Sequence, residues 1–434
     1  MKHWFKDQHF RSLLKNSGYL AASRAVAAVG AMATLAFAAR GLGVTAFGLL
    51  ILIHSYIQAA SGLTKFNSWQ MVVRYGSPAL ERGDVDTFRR AARFAVGLDL
   101  TSGVITMIGA MALLPLVAPW FGIPDHLLDN AILYCLLLPT LGSAAASGVL
   151  RALDRFDLVS WQGTITPNLR ALLTFFAWWY EAGFVVFLLI WFVTDLIGDL
   201  VQWGMAWAEL RRRDLRGSLW PSLSAAGLDG GWQFAASTNL TASLSTAWGP
   251  LARLLVGGLV SPAAAGLYRV ASSLADAAQR PSDFLNKAFY PEVMRLDPAS
   301  KTAWNLMVRA TLLGTAMGLP MMVGIALIGK FVLLHLFGPE FVGAYGVLVV
   351  LLGAPLIAML SFPLPAMLHS VGRTNVPLLG GLVGVIAYLG SIFPLVDHFG
   401  LIGAGLGFLI GRAAMVAVMA LALAGEHKRL RRSG

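Results

Sequence analysis

The chain reads as a series of apolar stretches of membrane-spanning length separated by short polar segments. A spanning helix needs about 20 mostly apolar residues. By that rule the first half predicts helices over about 17–39, 46–70, 93–117, 128–150, 158–180 and 183–208. The second half predicts about 231–257, 263–287, 303–328, 342–368, 376–396 and 400–424. The expected fold is therefore an all-α integral membrane protein of about twelve transmembrane helices.

Charge along the chain orients this pattern. With the N-terminus inside, the predicted cytoplasmic segments hold 23 of the 33 Lys/Arg residues, the opposite loops only Arg40 and Lys330, and the helices the other eight. Basic residues accumulate on the cytoplasmic side of membrane proteins. The even helix count and cytoplasmic placement of both termini follow together. Residues 1–15, with Lys2, Lys6, Arg11 and Lys15, read as a cytoplasmic tail entering a retained first helix rather than a cleaved leader. Trp120, Trp178, Trp179 and Tyr180 on one side, and Trp161, Trp203, Trp207 and Trp304 on the other, read as interfacial belts.

An internal repeat appears at an offset of 218 residues. Gly48-Leu49 falls on Gly266-Leu267, Leu150 on Leu368 and Arg155 on Arg373, with Phe121-Gly122 near Phe337-Gly338. The basic loop 209–229 divides the predicted helices six and six, giving expected domains 1–215 and 216–434. Six is even, so both halves enter from the same side, as in transporters built from parallel repeats with the substrate site at the repeat interface.

Composition agrees: 57% of residues are hydrophobic, 13% are charged, and the mean hydropathy is +0.69. The net charge of +11 lies in the loops and so argues for a membrane rather than nucleic acid as partner. The lone Cys135 excludes a disulfide framework. The segment GIALIGKF at Gly324–Phe331 lacks the Ser/Thr of a phosphate-binding loop, and Gly403, Gly405, Gly407 and Gly411 suit close helix packing. Asn239-Leu240-Thr241 is a glycosylation sequon inside a predicted helix, and the histidines show no metal-ligand spacing. No cofactor, metal or catalytic set is expected.

The chemistry concentrates in charges inside the helices. The eight basic ones are Arg24, Lys65, Arg170, Arg253, Arg269, Arg280, Arg309 and Arg412. A charge at a helix centre costs at least about 2.5–3.5 kcal/mol, so it normally faces a wet cavity or a partner. Lys65, Arg253 and Arg309 lie close enough to helix ends to snorkel. Asp276, Arg280 and Asp283 share one helix face and can neutralise one another. Asp99, Asp195 and Asp199 are candidates for ion coupling, by proton or sodium, or for counter-ions to Arg170 or Arg24. Eight bases against five acids leave an inward positive excess, which suits an anion, and Arg is shaped to fork phosphate oxygens.

The sequence resembles the oligosaccharide and polysaccharide flippases (Wzx-like) of the multidrug/oligosaccharidyl-lipid/polysaccharide (MOP) exporter superfamily. The likeness rests on GLGVTAFGLL at Gly41–Leu50 and its echo AGLYRVA at Ala265–Ala271. RALDRF at Arg151–Phe156, FYPEVM at Phe289–Met294 and LFGPEFVGA at Leu336–Ala344 add to it, with GRTN at Gly372–Asn375 and FGLIGA at Phe399–Ala404. The resemblance implies two pseudo-symmetric six-helix bundles (MOP/MATE-like) around a central cavity of alternating access. It implies that the protein is not an enzyme, and that it sits in a bacterial inner membrane. The implied cargo is a polyprenyl-pyrophosphate-linked oligosaccharide: an O-antigen, capsule or exopolysaccharide repeat unit moved to the periplasmic leaflet. Membrane lipid and polysaccharide polymerase or export machinery are the expected partners. Relatives such as the lipid II flippase line the cavity with basic side chains from helices 1, 2 and 8, helices that here carry Arg24, Lys65 and Arg269. The expected anion-handling set is Arg24, Arg170, Arg269 and Arg412, with Lys65 and Arg253 as outer candidates. A cation-coupled multidrug exporter of the same fold and a lipid II flippase are the alternatives, although twelve helices lack the extra pair of the latter. A membrane glycosyltransferase or polymerase would call for large extramembrane loops with catalytic acids, and loops of about 20 residues do not supply them.

Overall fold

A computed structural model describes residues 8–433 apart from 142, 216, 218, 247, 298 and 299; the side chains of 8–22, 240–245, 280–284, 287, 288, 291 and 430–433 lie outside the description. The expected calls on Arg280, Asp283 and Thr241 therefore fall outside the described residues, as do residues 1–7 of the N-terminal tail.

Twelve helical passes occur among the described residues. They are α1 (8–42), α2 (44–64), α3 (Val85–Val117), α4 (128–152), α5 (Phe156–Trp179) and α6 (Phe184–Arg212). Then come α7, in two pieces Gly231–Thr246 and Trp248–Leu259, α8 (Pro262–Met294) and α9 (Lys301–Val332). The last are α10, in three pieces from Tyr345 to Ser370, α11 (Val376–Phe399) and α12 (Leu401–Ser433). Large apolar side chains such as Ile105, Leu116, Leu327, Phe331 and Ile386 are exposed, as a surface facing lipid requires. The chain is a multi-pass membrane protein.

Local chemistry sets the helix ends. Gly43, at φ 71° and ψ 172°, turns α1 into α2, a backbone position that only glycine adopts freely. Asp84 caps α3 by accepting the Thr87 N–H at 3.0 Å, and the bonds from Thr87 hold its carboxyl below the usual range. Ser261 and Ser300 cap α8 and α9 in the same way, with Pro262 as the first residue of α8.

Four expected spans need correction. The first helix begins at least as early as Gln8, inside the expected tail. The second ends at Thr64, not 70, and Lys65–Asn67 are non-helical. The fourth unwinds after a 3-10 turn at Cys135–Leu137 and restarts at Ala144. The tenth is broken by prolines at 355 and 363, whose missing N–H groups interrupt the backbone ladder. Hydropathy registers apolar length but not these interruptions.

The chain forms two compact units. Unit 1 holds the described residues up to Gly43, with Ile53–Pro119 and Ile123–Pro250. Unit 2 holds Val44–Leu52, Trp120–Gly122 and Leu251 onward. The core of unit 1 is built on Phe88, Phe94, Leu98, Val149, Leu150 and Leu210, and a core of unit 2 on Phe289, Phe362, Met367, Leu368 and Leu423. Within unit 2, α2 and α8 cross where a Cβ on Gly48 would lie 1.8 Å from the Pro262 carbonyl oxygen.

The 218-residue offset has a structural counterpart. In unit 1 the Arg155 N–H donates to the Leu150 carbonyl at 2.8 Å across Asp154, which has φ 56°. In unit 2 the Arg373 N–H donates to the Leu368 carbonyl at 2.8 Å across Gly372, with φ 77°. Each arginine then reaches a glutamate of its own unit, Arg155 to Glu209 on α6 and Arg373 to Glu426 on α12, both at 2.6 Å. The offset is 217 for the glutamates, one less than for the arginines.

Candidate functional site

The broken α4 gathers the first set of charges in unit 1. An unwound backbone in a membrane must be satisfied by other protein groups. Here the Ala145 N–H donates to Asp99 Oδ2 at 2.8 Å and the Lys65 ammonium donates to the Leu141 carbonyl. Ser143 Oγ donates to the Asp199 carbonyl at 3.5 Å. Asp99 and Asp199 are each 7% exposed, and their carboxylates are the negative charges that act on Lys65. The structure thus brings three of the predicted site residues together around one backbone break.

A second set joins α2, α4, α5 and α6. The Arg170 guanidinium pairs with Asp195 Oδ1, donates through Nε to Thr194 Oγ1 at 2.8 Å, and lies 5.0 Å from the centre of the Trp191 ring. Asp195 is thereby a counter-ion of Arg170. Its other oxygen, Oδ2, lies 4.0 Å from His54 Nδ1. His54 also contacts the Tyr134 hydroxyl at 3.0 Å and the Gln58 side-chain amide at 2.8 Å. Neither His54 nor Tyr134 stands out in the sequence as a site residue. The spacing of His54 and Gln58 on one face of α2 is the one signal that was there to find.

Unit 2 assembles the third set from α7, α8, α11 and α12. Arg253 is only 8% exposed, so it does not snorkel, although its nearness to a helix end would allow it. Arg253, Asp276 and Arg412 all act electrostatically on the buried Tyr268, and Arg253 also feels the like charge of Arg269. The Arg412 guanidinium lies 5.6 Å from the centre of the Phe408 ring, whose neighbour at 6.4 Å is the Tyr388 ring. Arg269 and Arg412 are half-buried and Asp276 is exposed, so the cluster reaches the surface of the unit. Among the described residues, three guanidinium groups and the Asp276 carboxylate act on one another or on Tyr268 here. Such a group suits an anion with several oxygens, because each guanidinium offers a fork of N–H donors.

Arg24 is exposed and joins none of these sets. No group of His, Cys, Asp and Glu suited to a metal ion occurs among the described residues.

Residues 13–296 match the family described as "Polysaccharide biosynthesis protein". The chain is 38% identical over 347 residues to "Inner membrane protein YghQ" of Escherichia coli (strain K12), a match covering 80% of this chain and 98% of the relative. Among solved structures it resembles an inward-facing multidrug resistance MATE family transporter of the MOP superfamily, with TM-score 0.71 at 15% identity over 93% of this chain and 96% of that one. Lipid II flippase MurJ, in an inward closed conformation, gives TM-score 0.71 at 11% identity over 93% of this chain and 87% of that one. The Vibrio cholerae MATE transporter VcmN gives 0.60 at 15% identity, covering 96% and 98%. The chain belongs to the polysaccharide biosynthesis protein family and has the fold of the MOP-superfamily transporters.

Proposed function

We propose that the protein moves a polyprenyl-pyrophosphate-linked oligosaccharide, such as an O-antigen, capsule or exopolysaccharide repeat unit, from the cytoplasmic to the periplasmic leaflet of a bacterial inner membrane. Both termini lie in the cytoplasm in this reading, in keeping with the distribution of Lys and Arg among the loops. The observation that carries it is the group formed by Arg253, Arg269 and Arg412 around Tyr268, with Asp276 as its acid. A pyrophosphate head cannot cross hydrocarbon unaided, and a partly desolvated set of guanidinium groups replaces its water with N–H donors. Aromatic rings beside those groups, Tyr388 and Phe408, offer faces on which sugar rings can rest. The lipid tail stays in the bilayer, so the protein needs to carry only the head.

Membership of the polysaccharide biosynthesis family supports a glycan cargo, and a lipid II flippase of the same fold supports a lipid-linked one. A multidrug exporter shares that fold too, but an organic cation would meet three guanidinium groups in unit 2.

The test is translocation in proteoliposomes of a fluorescent polyprenyl-pyrophosphate oligosaccharide, followed by loss of signal to a membrane-impermeant quencher. The expected result is protein-dependent movement of the glycan lipid and none of an organic dye cation. Movement of the cation alone overturns the reading.

A further inference from the structure

The segment that leads from α6 to α7 is laid along α3. The Ser222 N–H donates to the Arg93 carbonyl, and Arg93 Nε donates to the Trp220 carbonyl, both at 3.1 Å. A Cβ on Gly97, one turn further along α3, would lie 2.3 Å from the Ser222 carbonyl oxygen, so the absence of a side chain there lets the segment settle.

Deeper along α3 this seam opens into a groove of about 270 Å³. Its walls are Phe66 beyond the end of α2, Leu98 and Ile105 of α3, Leu223 of the connecting segment and Trp232 of α7. The Phe94 ring meets Trp232 edge to face at 5.2 Å. Hydroxyl groups in the groove are spent on their own surroundings. Thr64, Ser102 and Thr106 each donate to a backbone carbonyl at 2.6 Å, and Thr64 and Thr106 touch each other at 2.5 Å. A polar solute would give up water there for little in return, whereas a hydrocarbon chain is driven in by its own exclusion from water or rests there as in the bilayer.

The mouth of the groove has the opposite chemistry. Arg90 and Arg93 precede Leu98 by about two turns and one turn of helix. Arg90 donates to Thr87 Oγ1 at 2.7 Å and Arg93 uses its Nε, and neither pairs with a carboxylate among the described residues. Arg89, by contrast, answers Asp86 at 3.5 Å. The N–H groups left on Arg90 and Arg93 suit phosphate oxygens. Beside them Trp220 is 76% exposed, in the role tryptophan takes at a membrane–water boundary. About 18 Å of helix separates Arg93 from Ile105, enough to run from headgroup level through most of one leaflet.

We propose that this groove holds one acyl chain of an anionic phospholipid, whose phosphate is held by Arg90 and Arg93. Charge selects the occupant's head, because a zwitterionic lipid would bring an ammonium group to two arginines that lack acids. The spent hydroxyls select its tail. The cargo proposed above also has a hydrocarbon tail, but its head is assigned to the arginines of unit 2, whereas every residue of this groove belongs to unit 1. The lipid site therefore does not rest on the proposed cargo.

The test uses protein in phosphatidylcholine nanodiscs with a trace of phosphatidylglycerol that carries a diazirine in one acyl chain. After photolysis the labelled peptides are mapped by mass spectrometry. We expect label concentrated on Leu98–Thr106 and Leu223–Trp232. Unlabelled phosphatidylglycerol should compete about tenfold or more better than phosphatidylcholine, as two arginines at a lipid surface predict. In Arg90→Gln/Arg93→Gln that preference should fall to near parity, and Arg90→Lys/Arg93→Lys, which keeps both charges, should retain it. Label spread evenly over the apolar surface overturns the proposal, as does equal competition by the two phospholipids in the unaltered protein. Displacement of the label by polyprenyl phosphate but not by phosphatidylglycerol also overturns it, and gives the groove to the cargo's tail.

Discussion

Unit 1 and unit 2 place different charges at corresponding positions of one repeat. In unit 1, α5 carries Arg170, and α6 carries Trp191 and Asp195. At offsets of 218 and 217, unit 2 has Tyr388 on α11, and Phe408 and Arg412 on α12. In both units a guanidinium lies by the aromatic ring, at 5.0 Å from Trp191 and 5.6 Å from Phe408. In unit 1, however, that guanidinium comes from the first helix of the pair and meets an acid on the second. In unit 2 it comes from the second helix, and the acid's position is the one that the arginine has taken. On the preceding repeat helix, Gln58 of α2 corresponds to Asp276 of α8. The scaffold is thus conserved in geometry while its charges are rearranged. Unit 1 pairs its guanidinium with an acid, and unit 2 sets its guanidinium among other arginines.

That contrast is sharpest where a pair is broken. Arg170→Ala leaves Asp195 buried without its guanidinium, and removing one partner of a buried ion pair costs about 3–5 kcal/mol. The corresponding change in unit 2, Arg412→Ala, falls on a half-buried side chain and strands no fully buried carboxylate, since Asp276 is exposed; it should cost about 1 kcal/mol. Thermal unfolding of the two purified variants in the same detergent checks this. Equal losses would break the comparison.

A smaller effect concerns the crossing inside unit 2. Gly48→Ala puts a Cβ on the backbone of Pro262, which cannot yield as a side chain can, while the same change at Gly266 meets its nearest atoms at 3.1 Å. Overpacking of this kind costs about 1–3 kcal/mol. Gly48→Ala should lie at the upper end and Gly266→Ala at the lower, as measured by the yield of folded, monodisperse protein. The reverse order would show that the crossing is looser than its geometry.

The last contrast, and the one that includes the smallest single effect, is at the matched arginine–glutamate latches. Glu209 is buried and accepts from both Arg155 and Arg213, whereas Glu426 pairs with Arg373, which is 53% exposed against 23% for Arg155. Glu209→Gln should cost about 1.5–3 kcal/mol, as loss of hydrogen bonds to a charged group. Glu426→Gln should cost about 0.2–1 kcal/mol, as for an exposed pair. Melting temperatures of the two variants decide the order.

Much of this was legible in the sequence. Apolar runs and loop charge carry the twelve passes, because lipid imposes both patterns directly. The Arg155–Arg373 coincidence proved to mark the same turn in each unit, since a residue that must leave a left-handed turn and reach an acid is hard to replace. The breaks in α4 and α10 were hidden, because a run of apolar side chains looks alike whether its backbone is continuous or not. The partners of the charges were hidden for another reason. Arg170 and Asp195 are on different helices, 25 residues apart, and Lys65 answers a backbone carbonyl that helical spacing cannot point to. His54 reads as an isolated histidine in sequence and acquires its surroundings only when α2, α4 and α6 pack together.

The account's central claim is that the arginines of unit 2 hold the anionic head. The most direct measurement is the affinity of the detergent-solubilised protein for a polyprenyl-pyrophosphate oligosaccharide. Arg253→Gln, Arg269→Gln and Arg412→Gln would be compared with Arg309→Gln, an exposed arginine of the same unit outside the cluster. Loss of a hydrogen bond to a charged group predicts weakening of about tenfold or more in each of the first three, with Arg309→Gln binding as the intact protein does. Unchanged binding in all three cluster variants would contradict the account and place the anion elsewhere.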